Sequence, residues 1–271
     1  MEIGSWTVWT LGFLAATTGT SPWSLPQRTA VKDAGPRAYR FTMDYTAADT
    51  RGQVTHRQHV EATYTRGLPS GDVVWNDVTV AEADGATAPL PAPQKRAFME
   101  GFRYRKSPTV LGDTMKPDFF KDAPPTAIIE RNLVWDEEAI EWFGQAHFEH
   151  LKLNEPYRLL SSQTVDMPGI GTFQNRDVQL VWSGRSRRNG EDCALIDYRA
   201  FFNPLDIANG GMTLKGRSHY WGQIWVSLAT KQVEYATLYE EVLAEMTLPG
   251  QDKPQLIDVF RSGVLEPMAR R

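Results

Sequence analysis

The sequence predicts a mainly β protein of the α+β kind: a large, twisted antiparallel sheet, shaped as a half-barrel or open barrel, with one principal helix covering one face. Three observations carry this reading. Long runs of alternating apolar and polar residues recur along the chain, Asn189-Gly190 marks a tight hairpin between two of them, and one stretch alone has a convincing helical period. Strands do not alternate with crossover helices, which disfavours a parallel sheet.

Trp6 to Ala16, WTVWTLGFLAA, is an apolar run of secretory-signal length, followed by TTGTS and then Pro22 and Pro26. It is too short to span a bilayer, so no transmembrane helix is expected. The residues before it include Glu2 and no Lys or Arg, unlike the basic start of a signal. The expectation is an extracytoplasmic protein, periplasmic or secreted; the alternative is a cytoplasmic one whose N-terminal arm docks on the domain or a partner. Residues 1–36 are read as this segment and its linker, and residues 37–271 as a single β-rich domain.

In YRFTMDYTA, Tyr39, Phe41, Met43 and Tyr45 share one face and Arg40, Thr42, Asp44 and Thr46 the other, the pattern of a half-buried strand. DTRG, Asp49 to Gly52, turns the chain into VTHRQHVEATYTRG. GDVVWNDVTVAEADG then sets Val74, Asn76, Val78 and Val80 against Val73, Trp75, Asp77 and Thr79. Prolines interrupt residues 85–94, which read as a loop, and residues 95–157 form a helical and loop insertion. Its helix is WDEEAIEWFGQAHFEHLKL, with Asp136 as cap, Glu137 and Glu138 in the first turn and Lys152 near the end. The preceding SPTVLGDTMKPDFFKDAPPTA reads as a covering loop or binding lid.

Around Asn189-Gly190, Arg188 faces Glu191 and Arg187 faces Asp192, two opposite-charge pairs that support long strands from about Asp177 to Arg188 and Glu191 to Phe202. The same register puts Trp182 opposite Asp197. GRSHYWGQIWVSL, Gly216 to Leu228, returns through VEYATLYEEVLAEM; a turn at Thr230-Lys231 sets Gly222 opposite Tyr239, Trp221 opposite Glu240 and His219 opposite Val242. One face then holds Tyr220, Gly222, Ile224 and Val226. The other holds Arg217, His219, Trp221, Gln223 and Trp225 with Glu240, an amphipathic wall of indoles and polar groups. The phrase IWVSLATKQVEYATLYEEV resembles, in architecture only, β-rich bacterial envelope proteins that cup lipids in a half-barrel; this implies the fold and carries no residue roles.

The 29 basic and 33 acidic residues are mixed along the chain and give a net charge of -4, so no basic face awaits a phosphate backbone and nucleic acid is not an expected partner. Cys193 is the one cysteine, which excludes an intrachain disulfide and a cysteine-rich zinc site. There is no G-x-S-x-G elbow, no P-loop and no G-x-G-x-x-G, and no cofactor is expected. His147 and His150 in HFEH are weak metal candidates, three residues apart on the presumed helix. Two functional readings follow. The first is a non-catalytic protein whose ligand-binding candidates are Arg217, His219, Trp221, Gln223, Trp225 and Glu240, taking an amphipathic molecule or serving as a subunit of a larger assembly. The alternative is a hydrolase or isomerase using histidine and carboxylate acid–base chemistry, with His219 and Glu240 on one sheet face or His147 and His150 on the helix.

Overall fold

A computed structural model describes residues 25, 31–107, 113–114, 116, 118–121, 123–124, 127–159, 163–167, 171–209 and 211–269. The apolar run at Trp6 to Ala16 lies outside them. Among the described residues thirteen strands form one antiparallel sheet: β1 (Arg37–Ala48), β2 (Val54–Arg66), β3 (Asp72–Asp84), β4 (Gln94–Lys95), β5 (Phe102–Arg105), β6 (Pro156–Arg158), β7 (Gln163–Met167), β8 (Gly171–Asn175), β9 (Gln179–Arg188), β10 (Glu191–Asn209), β11 (Met212–Ser227), β12 (Val233–Thr247) and β13 (Gln255–Pro267). Their order is β4-β3-β2-β1-β13-β12-β11-β10-β8-β7, with β5 beside β3, β9 beside β10 and β6 beyond β9. The sheet is an open half-barrel with the expected single principal helix, α1 (Ile128–Gln145). No helix among the described residues is long and apolar enough to cross a membrane.

Strand β1 follows the expected alternation, with Tyr39, Phe41, Met43 and Tyr45 all buried. The DTRG turn closes as read: the Gly52 amide donates to the Asp49 carbonyl at 2.9 Å, and Gly52 supplies the positive φ of 73° that this turn requires. In β3 the two faces read from sequence are stitched into one. Asp77, at φ 52°, forms a bulge against β2, so Trp75 on one side of it and Val78 and Val80 on the other all point inward. Tyr39, Tyr64, Trp75 and Phe41 stack through this region with ring centroids 5.2 to 6.5 Å apart, in the tilted geometry aromatic pairs prefer.

The helix differs from its sequence expectation at both ends. It starts at Ile128, behind an Ala127 that offers no side-chain cap, and stops at Gln145; Phe148, buried at 1% exposure, turns the chain into a short 3-10 turn, Phe148–His150. His147 and His150 therefore lie beyond the helix. Asp136, Glu137 and Glu138 are neither cap nor solvated first turn: they sit mid-helix and are buried. First-turn preference is a local dipole effect of at most about 1 kcal/mol at an exposed site, and cations supplied by the sheet override it. Glu130 pairs with Arg96 at 3.0 Å, Glu138 with Lys106 at 3.2 Å and with the Tyr104 hydroxyl at 2.7 Å, and Glu141 with Lys106 and with Arg66 at 2.5 Å. Gly144 lets the helix approach β11 closely, since a Cβ there would meet Val226 and Ile224 at 3.1 and 3.2 Å.

The Asn189-Gly190 turn has the positive φ angles, 52° and 82°, of the two-residue hairpin, and Arg188 and Arg187 face Glu191 and Asp192. Further along, Ser183 bulges out of β9, so Trp182 faces Ile196 rather than Asp197. Strand β10 then forks. Its first half pairs with β9 and its last residues with β8; buried Asn203 holds the fork by accepting from the Arg176 amide at 2.9 Å and donating to the Ala200 carbonyl at 3.2 Å.

The β11–β12 register is one residue away from the expected one. Glu234 is an extra residue in β12, buried and held by Arg37, so Val226 faces Val233 but Trp225 faces Tyr235. From there Trp221 lies opposite Tyr239, Tyr220 opposite Glu240 and His219 opposite Glu241. Because side chains alternate with period two, this single residue moves Glu240 to the opposite face from the one read in the sequence. Gly222 is covered not by Tyr239, read opposite it from the sequence, but by the ring of Tyr198, whose hydroxyl donates to the Thr237 carbonyl at 2.9 Å.

Candidate functional site

The inner faces of β11, β12 and β13 divide into two regions along their length. Toward one end Ile224, Val226, Ala236, Leu238 and Leu265 are sealed against the sheet's covering layer, where α1 contributes Ile140 and Phe143. Toward the other end Leu214, Val242, Ile257 and Val259 continue the same alternation but line an open cavity of about 460 Å³. Leu205 and Ile207 on β10 and Phe173 on β8 form one wall; Ile128, Ile129 and Trp135 on α1 form the other.

A polar cluster marks the boundary between the sealed and open regions. The Arg261 guanidinium donates from Nη2 to Asp136 Oδ1 at 3.0 Å, from Nη1 to Asp136 Oδ2 and from Nε to Glu240 Oε2; Ser218 Oγ donates to Glu240 Oε1. All four residues are buried, with Arg261 8% and Glu240 7% exposed. Burial pushes the Asp136 carboxyl up to about 6, against the opposing pull of Arg261. The Tyr45 hydroxyl is buried beside Arg261 and Asn132 without a hydrogen bond of good geometry, and burial holds it protonated by raising its pKa to about 12. A second, narrow cavity of about 50 Å³ shares Trp135, Phe173, Glu240 and Arg261 with the first and is also lined by Tyr198 and Tyr220. Chemically, this is an apolar bowl with a hydrogen-bonding floor.

Of the six ligand-binding candidates, the structure brings only Glu240 to this cavity. Arg217, His219, Trp221, Gln223 and Trp225 share the outer face, where they contact one another and their neighbours. Arg217 Nε donates to His219 Nε2 at 3.0 Å, Gln223 donates to Asp197 at 2.7 Å, Trp221 stacks on Tyr239 at 5.9 Å, and Trp225 meets Tyr235 edge-on at 5.2 Å. The pairing of Trp221 with Glu240 does not form, and the His219–Glu240 constellation is divided by the thickness of the sheet. His147 and His150 both lie against the Tyr157 ring, at 5.5 and 5.3 Å, and burial lowers the His147 pKa to about 4. No three His, Cys, Asp or Glu groups among the described residues converge on a metal position. Cys193 is buried, as a small core residue would be.

Arg261 is the cavity residue that sequence reading most clearly missed, because it sits on β13, 125 residues from its partner Asp136 in the middle of α1. A signal was present: Arg261 interrupts the inner-face alternation of Ile257, Val259, Gly263 and Leu265, and a charge in an apolar row asks for a buried partner.

The fold and site define an open antiparallel half-barrel with an apolar inner cavity. In structure the chain is similar to lipovitellin, solved to describe its lipid–protein interactions, with 12% identity over 88% of this chain and a TM-score of 0.41; the match spans 26% of the lipovitellin chain, about a quarter of its length. It is also similar to a Bacteroides fragilis protein with a YmcC-like fold (10% identity, 84% of this chain and 95% of that one, TM-score 0.19) and to a DUF1329 family protein from Desulfovibrio piger (10%, 86% of each chain, TM-score 0.16). No family model and no curated protein matches the sequence. At these scores none of the likenesses bears on function.

Proposed function

We propose that this chain is a non-catalytic binding protein that holds an amphipathic, lipid-like ligand in the inner-face cavity, its tail against Leu205, Ile207, Leu214, Val242, Ile257 and Val259 and its polar end at Arg261. One observation carries this reading: an apolar cavity of about 460 Å³ converges on a single buried polar cluster. Ligand sites characteristically combine an apolar lining with a few placed polar groups that fix orientation. Ile128 at the cavity rim is 43% exposed, an apolar residue left open where a hydrocarbon tail would cover it. The separation of His219 from Glu240 removes one pair on which acid–base catalysis was read from the sequence.

The test is the melting temperature of the full chain with monoacylglycerol, fatty acid and phospholipid, together with native mass spectrometry of the purified protein. A bound lipid at about a hundred times its Kd contributes about 2.7 kcal/mol and a rise of about 5 °C or more. Val242→Trp fills the cavity and abolishes the shift while the unliganded protein still folds. No shift with any lipid and no co-purifying small molecule would remove the proposal. An extracytoplasmic location belongs to the same reading, and the N-terminus of the native protein, read by mass spectrometry, tests it.

A further inference from the structure

The charges on the cavity floor do not balance. Asp136 and Glu240 bring two carboxylates to one guanidinium, and Arg261 spends three of its five N–H groups on them. With both acids ionised the cluster is formally negative. A second anion brought to this buried floor, such as a fatty-acid carboxylate or a phosphate, would meet two carboxylates and a cation already engaged, and would lose its hydration without gaining a free counter-charge.

The floor also holds hydrogen-bonding groups of both kinds. Asp136 and Glu240 leave two guanidinium N–H groups over and keep lone pairs of their own, and the Asn132 carboxamide lines the same cavity. An ammonium head has donors only and would face the guanidinium, so it matches the carboxylates and leaves the N–H groups unmet. A head of ester and hydroxyl oxygens meets both kinds, because it accepts and donates hydrogen bonds and carries no charge.

We infer that the cavity selects amphiphiles with an uncharged, oxygen-bearing head, the acylglycerol class, and rejects free fatty acids of the same chain length. This rests on the inner-face cavity being the ligand site. Excess negative charge beside a mixed set of donors and acceptors defines the selectivity, and Glu240 is its main source, because removing that one charge leaves Arg261 and Asp136 as a balanced pair.

The experiment compares 1-monooleoylglycerol, oleate and oleylamine, all of one chain length, by titration calorimetry at pH 7.5 below their aggregation concentrations. Monooleoylglycerol is expected to bind at least about tenfold more tightly than either charged ligand, and Glu240→Gln is expected to improve oleate binding about tenfold while leaving monooleoylglycerol within about threefold. Circular dichroism and the melting temperature confirm that the variant is folded; if it is not, Asp136→Asn provides the same charge change on the other carboxylate. Oleate or oleylamine binding as tightly as the glyceride overturns the inference but leaves the cavity reading in place, as does an unchanged preference in the folded variant. If no ligand binds, the cavity reading falls and takes this inference with it.

Discussion

Arg261 on β13 clasps Asp136 on α1, with Nη2 donating to Oδ1 at 3.0 Å and Nη1 to Oδ2, and so ties the last strand of the sheet to the middle of its only described α-helix. The clasp sits where the sealed core gives way to the open cavity. Its geometry makes the strength of a buried ion pair testable. Arg261→Met strands two buried carboxylates and is expected to cost about 3–5 kcal/mol in urea unfolding. The triple variant Arg261→Met, Asp136→Leu, Glu240→Met, which removes the whole network, is expected to recover most of that loss. A triple variant no more stable than the single one would mean that the pair contributes net stability rather than specificity.

Glu137 gives a prediction of opposite character. It is fully buried, its approach to Lys106 is 3.5 Å, and its Oε2 has no hydrogen-bond partner; burial holds its carboxyl well above the usual range, with Lys106 opposing. A carboxyl whose folded pKa is raised keeps its proton in the native state, so its contribution to stability is complete below the unfolded value and is lost as pH rises through the folded one. Glu137→Gln is expected to flatten the fall of melting temperature from pH 5 upward and to make the protein more stable than wild type at pH 8. A variant whose pH profile stays parallel to the wild type would contradict this.

For His147 the sign reverses. Burial against Trp142 and Tyr157, reinforced by His150, lowers its pKa to about 4. The unfolded chain then takes up a proton near pH 6.5 that the native protein refuses until about pH 4, so stability present above 6.5 is lost as pH falls through this window. His147→Gln is expected to shallow the acid side of the melting profile between pH 6.5 and 4. Proton uptake on unfolding, measured by calorimetry in two buffers of different ionisation enthalpy, checks the same point directly.

Phe202 is held at φ 58° in the β10 bulge while 63% exposed, with its ring against His219 at 4.8 Å. A bulky residue in the left-handed region costs roughly 1–2 kcal/mol, and asparagine tolerates that region far better. Phe202→Asn is expected to raise the melting temperature by about 2 °C. A fall instead would show that the ring's contact with His219 outweighs the backbone strain.

Much of the fold was legible in the residues. Tyr39, Phe41, Met43 and Tyr45 announce a half-buried strand, and Asn189-Gly190 with its flanking charges fixes a hairpin, because both signals are local: side-chain alternation and turn conformation are decided within a few residues. Alternation along β11 likewise separated Tyr220, Gly222, Ile224 and Val226 from Arg217, His219, Trp221, Gln223 and Trp225 correctly. The site was not legible. On which face Glu240 falls depends on the bulge at Glu234, which shifts the register of β11 and β12 by one residue, as the bulges at Ser183 and Asp77 do in β9 and β3. The sequence by itself determined the strands, the hairpin and the antiparallel class. Only the tertiary structure decided that Asp136, Glu240 and Arg261 meet at the floor of an apolar cavity, because a bulge is held by distant partners, as Glu234 is by Arg37, and a buried charge chooses its position by the counter-charge it finds across the fold.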